Sequence, residues 1–190
     1  MLHLTISKLL YNRDTAPYAL YPTVMAIWHF EFSLIPTAGI CKAHGKMVDF
    51  LPEYGRHQPD APLLENDDFF NYWAGSDLSS GPVRLLEQLL PHKTSWSSDA
   101  RMYGSKEQSQ LEVWDDGIHC AFNVANLDVT LLTAIVNIAH DLDCKLALKD
   151  GGRLIDPDTD MVIEALRDSL AWKFVKDPEG VLTRGEHVIR

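Results

Sequence analysis

Gln110-Leu111-Glu112-Val113-Trp114-Asp115-Asp116-Gly117-Ile118-His119-Cys120-Ala121-Phe122 reads as two alternating strands on either side of a turn. A two-residue turn at Asp116-Gly117 pairs Val113 with Cys120 and Leu111 with Phe122, and it gathers four apolar side chains on one face. Glu112 opposite Ala121 and Trp114 opposite His119 then occupy the other face. Only one register is expected to do this, since a slip of one residue would turn one strand inside out.

Working outward, Asp128 to Leu142 has a helical period. Asn126 or Asp128 offers a cap, and Leu131, Ile135, Ile138 and Leu142 form a stripe. Cys144 to Lys149 alternates again, Asp150-Gly151-Gly152 supplies a turn, and Arg153 to Ile155 returns. Asp156 as cap and Pro157 at the first helical position open a last helix, with Ile163, Leu166, Leu170 and Phe174 on one side. Asp177-Pro178-Glu179-Gly180 ends it. Upstream, Val24 to Ile35 alternates between an apolar face (Val24, Ala26, Trp28, Phe30, Phe32, Leu34) and a mixed face carrying His29 and Glu31. Ile40 to Phe50 is expected as a second strand, Pro82 to Leu90 as a short helix, and Ala100 to Tyr103 as a further strand.

Hairpins with intervening helices predict an α+β fold: a two-layer sandwich, mostly antiparallel sheet, with helices packed on one face. The 190 residues suit a single domain, 1–190, with an irregular aromatic and acidic segment at about 51–82. A chain of this length buries about 70% of its unfolded surface, so a core needs neither disulfide nor metal. Cys41, Cys120 and Cys144 are odd in number and far apart, which suits reduced thiols in a reducing compartment. The first thirteen residues lack a secretory pattern, and Thr15 to Phe30 is short and broken by Pro17 and Pro22. These features lead to the expectation of a cytoplasmic protein with no membrane association.

Seventeen basic residues against 27 acidic ones give a net charge of −10. That field, without a run of Lys and Arg, argues against nucleic-acid binding and favours a basic protein partner.

Recognised catalytic patterns are missing. Asp156-Pro157-Asp158-Thr159-Asp160 alternates carboxylates, but Met161 and Arg167 stand where a calcium loop needs glycine and glutamate. His29-Phe30-Glu31 has the H-x-E order of zinc deaminases without a P-C-x-x-C partner. No metal and no cofactor is expected. Gly75 to Gly81 fits neither a nucleophile elbow nor a phosphate loop. If acid–base chemistry occurs, His29 and Glu31 are its candidate pair, because they point the same way from one strand and a carboxylate raises a neighbouring imidazole pKa. The stronger candidate is a binding surface. A short helix from about Asn66 would put Phe69, Phe70 and Trp73 on one side; with Asp67, Asp68, Phe69, Tyr72 and Trp73 the segment either steers and anchors a basic partner or turns its Phe and Trp into the core.

The last third carries a resemblance. From Trp114-Asp115-Asp116-Gly117 through Asn126-Leu127-Asp128 and Ile155-Asp156-Pro157 to Ser169-Leu170-Ala171-Trp172-Lys173-Phe174-Val175-Lys176-Asp177-Pro178, the chain resembles small uncharacterised bacterial α+β proteins. Some of these are thought to be immunity proteins encoded beside secreted polymorphic toxins. The resemblance rests on caps, turns and core positions, so it carries over no binding residue. It implies a protein that neutralises a cognate toxin by occlusion. The alternatives are a small hydrolase-like enzyme using His29 and Glu31, or a structural subunit that forms a homodimer through a sheet edge.

Overall fold

The computed structural model describes residues 27–54, 70–79, 81–105 and 107–184. The fold is α+β. Seven antiparallel strands form one sheet in the order β2-β3-β4-β5-β1-β6-β7. They are β1 (His29–Pro36), β2 (His92–Lys93), β3 (Ala100–Gly104), β4 (Ser109–Trp114), β5 (Gly117–Asn123), β6 (Cys144–Leu148) and β7 (Leu154–Ile155).

The period-two pattern sorts side chains as expected. Phe30, Phe32 and Leu34 of β1, Leu111 and Val113 of β4, Ile118, Cys120 and Phe122 of β5, and Leu146 and Leu148 of β6 lie in one buried cluster. The register differs from the expectation. Val113 faces Ile118, Leu111 faces Cys120, Ser109 faces Phe122, Glu112 faces His119 and Trp114 faces Gly117. The two linking residues are therefore Asp115 and Asp116. A shift of two keeps every side chain on its face, so alternation alone does not separate the two registers.

Four helices cover the apolar face: α2 (Gly81–Gln88), α3 (Val129–Asp141), α4 (Thr159–Asp168) and α5 (Leu170–Lys176). The Asp128 carboxylate caps α3 by accepting from the Leu131 N–H at 3.0 Å. Its stripe is rotated from the expected one: Leu132, Ile135, Val136 and Ala139 are buried, while Leu131, Ile138 and Leu142 pack half-buried at the margin. Helix α4 is capped by Asp158, which accepts from the Met161 N–H at 3.0 Å, and not by Asp156. Asp156 instead pairs with Lys145 of β6.

The single last helix that the sequence suggested is two, α4 and α5. At Ser169 the hydroxyl donates to the Leu166 carbonyl at 2.6 Å and accepts from the Trp172 N–H at 3.2 Å. One side chain thus closes α4 and opens α5. Asp177 ends α5 as expected, its N–H donating to the Lys173 carbonyl, and the chain then turns into another helix at Pro178. This is α6 (Pro178–Arg184), with the Asp177 carboxylate accepting from the Gly180 N–H at 2.9 Å.

The other face of the sheet is not bare. The expected second strand at Ile40 to Phe50 is a helix for its first half, α1 (Thr37–His44), ended by Gly45 at φ 71°. Ile40 of α1 joins Ile35, Leu51, Tyr72 and Ala147 in a second buried cluster, flanked by Ala43, Val48 and Tyr54. Helices on one face alone is therefore a description that needs this correction. Gly39 lets α1 approach: a Cβ there would sit 2.1 Å from the Tyr72 carbonyl oxygen. Of the expected helix from Asn66, residues 66–69 lie outside the described residues, and 72–75 form a turn.

Candidate functional site

The register brings one residue from each strand into a line across the second face. Lys93, Met102, Glu112, His119, Ser33, Ala147 and Leu154 face one another in turn from β2 to β7. In its middle, Ser33 Oγ lies 2.7 Å from His119 Nδ1. Ser33 is 5% exposed. Burial pulls the His119 imidazole below its ordinary pKa, Lys149 adds to the drop, and Glu112 and Asp116 oppose it. The ring is therefore neutral near pH 7. Gly117, two residues before on the same face, leaves room for it: a Cβ at that position would be 3.1 Å from His119 Nε2.

Glu112 is the next member of the line, and its carboxylate is held from both sides. Gln110 Nε2 donates to one oxygen, and Trp114 Nε1 donates to the other at 3.1 Å. All three side chains belong to the same face of β4, where alternation places residues 110, 112 and 114 side by side. The Trp114 ring then meets Trp96, edge to face, with centroids 5.4 Å apart. Trp96 sits in the β2–β3 connection and is 78% exposed. Asp115 and Asp116 follow Trp114 at the hairpin tip and are exposed. The β4 end of the hairpin therefore presents an indole pair and a fixed carboxylate on one surface, with Asp115 and Asp116 exposed at the tip.

The expected sites fare differently. Tyr72 and Trp73 are buried, at 2% and 4% exposure, and present nothing to a partner. They straddle the sheet end: Tyr72 enters the second cluster, while Trp73 enters the main core and donates its Nε1–H to the Leu34 carbonyl at 2.9 Å. Of the two readings the sequence left open for this segment, core or interface, the burial of both rings supports the core and removes Tyr72 and Trp73 from the anchors. The Tyr72 hydroxyl donates to Glu53 at 2.5 Å and lies 3.0 Å from His44 Nε2. Burial and the Glu53 carboxylate push that hydroxyl's pKa up. Asp67, Asp68 and Phe69 lie outside the described residues.

His29 and Glu31 share the second face, opposite Asn123 and Ala121. His29 is 6% exposed, with its ring 6.0 Å from that of Trp28. Two imidazoles lie against hydroxyls, His119 against Ser33 and His44 against Tyr72. Ser33 and His119 are at nucleophile–base distance, but a hydroxyl buried mid-strand gives a substrate little approach. A satisfied cross-strand hydrogen bond accounts for the pair.

The cysteines are free, Cys120 and Cys144 buried and Cys41 exposed. Burial raises both inner thiols, Cys144 to about 12 with Asp143 contributing, so neither is a thiolate at neutral pH. Among the described residues, no group of three or more His, Cys, Asp or Glu side chains is placed to hold a metal ion. Among them also, no helix is long and apolar enough to cross a membrane. Comparison with known proteins adds no relative: no family model, no curated protein and no solved structure matches the chain.

Proposed function

We propose that this protein works by binding another protein, and that it is an immunity-type inhibitor which occludes a basic toxin in the bacterial cytoplasm. The observation that carries the reading is Trp96, a large apolar side chain left 78% exposed and braced on Trp114 next to acidic groups. Exposed tryptophans are costly to solubility unless a partner covers them, and they recur as anchors at the centres of interfaces. The net charge of −10 supports a cationic partner, since it speeds encounter without fixing affinity. The resemblance of the last third to proteins of this kind supplies the toxin as the partner's class.

The test is coexpression with the product of the adjacent gene, scored for survival if that product is toxic and for a purified complex. The reading expects protection, a complex of nanomolar affinity or tighter, and an association rate that falls as salt rises. A toxin that kills equally with and without this chain, and forms no complex with it, would overturn the reading.

A further inference from the structure

We propose that Glu112 is the receptor for an arginine side chain on a basic partner protein, with Trp96 as the apolar anchor beside it. The inference rests on the protein-binding reading and assigns it a site.

The geometry gives four reasons. First, the carboxylate is oriented before any partner arrives, because Gln110 and Trp114 each donate to one of its oxygens. An interaction made by an already ordered group loses less conformational freedom on binding. Second, its capacity is not used up. An ionised carboxylate accepts about four hydrogen bonds, and two side-chain donors reach this one. Among the described residues no Lys or Arg forms an ion pair with it. Third, the neighbouring charges favour a cation. Asp115 and Asp116 are exposed at the same end, and the facing imidazole of His119 is neutral. Lys93 stands two strands away in the same line and Lys149 lies beyond His119, so neither is the nearest charge. Fourth, the indole pair suits arginine better than lysine. A guanidinium offers a planar fork to a carboxylate and packs against aromatic rings, whereas an ammonium is a strongly hydrated point charge. A neutral or acidic partner segment would leave the carboxylate desolvated without compensation.

The test titrates the isotope-labelled full chain with a short arginine-rich peptide, followed by the indole N–H resonances of its five tryptophans. A matched peptide with citrulline in place of arginine keeps the shape and removes the charge. Expected are saturable shifts at Trp96 and Trp114 with the arginine peptide. Trp73, whose indole is hydrogen-bonded in the core, should stay still. Glu112→Gln, which keeps an acceptor for Trp114, should weaken binding about tenfold or more. Trp96→Ala is the second variant and should weaken it without touching the carboxylate. Equal binding of the two peptides, or unchanged affinity in Glu112→Gln, would overturn the site. The two proposals fail separately. Protection from the toxin that survives Glu112→Gln and Trp96→Ala removes this site and leaves protein binding standing. Arginine recognition without protection removes the toxin reading and leaves the site.

Discussion

Two neighbouring lines of residues cross the same sheet and could hardly differ more in chemistry. One, on the helix-covered face, runs Tyr103, Leu111, Cys120, Phe32 and Leu148 from β3 to β6. The next, on the opposite face, runs Met102, Glu112, His119, Ser33 and Ala147. The first is buried throughout and, Tyr103 apart, carries no polar side chain but a thiol. The second keeps an acid, an imidazole and a hydroxyl in its centre. Strand pleating puts them on opposite sides, so a single substitution addresses one line without touching the other.

The largest effect is expected on the first line. Leu111→Ala removes a fully buried side chain among Phe32, Cys120 and Val113 and should cost about 2–5 kcal/mol in denaturant unfolding. A loss below about 1 kcal/mol would mean that the helices do not close over this face. On the second line, Ser33→Ala takes the partner from His119 Nδ1 and should cost about 1–3 kcal/mol. The same imidazole gives a pH signature. Its folded pKa is depressed below the unfolded value near 6.5, so the unfolded chain takes up a proton first. Stability should therefore decline as pH drops below about 6.5, and His119→Gln should flatten that decline in urea titrations at several pH values. A smaller cost, about 1 kcal/mol, is expected for Asp158→Ala at the α4 cap. Trp96→Ala should change stability by less than about 0.5 kcal/mol, since the side chain is mostly in water.

The contrast between the two faces also explains what the sequence made legible. Alternation in β4, β5 and β1 is a local property, and it identified which of Leu111, Glu112, Val113 and Trp114 go inward. Register is not local. Pairing Val113 with Cys120 or with Ile118 satisfies the same pattern, and only the second choice sets Glu112 against His119. Thus the polar line was invisible, although each member was visible as a polar residue within an alternating strand. The α1 helix was missed because its eight residues bury only Gly39 and Ile40, too few to display a helical period. Whether Tyr72 and Trp73 are core or interface was not legible either, since both readings fit an aromatic and acidic segment, and it is a turn that sends one ring to each buried cluster. Ser169 shows a third limit, since a serine inside an apolar stripe gives no sign that its hydroxyl will end one helix and begin the next.

The central claim is that the helix-covered face holds the fold while the hairpin end of the opposite face meets a cationic partner. It is tested most directly by the double variant Trp96→Ala with Glu112→Gln, measured for unfolding midpoint and arginine-peptide binding on the same samples. The account expects an unfolding midpoint close to that of the parent chain and no saturable binding. A midpoint well below the parent's with binding retained would contradict it.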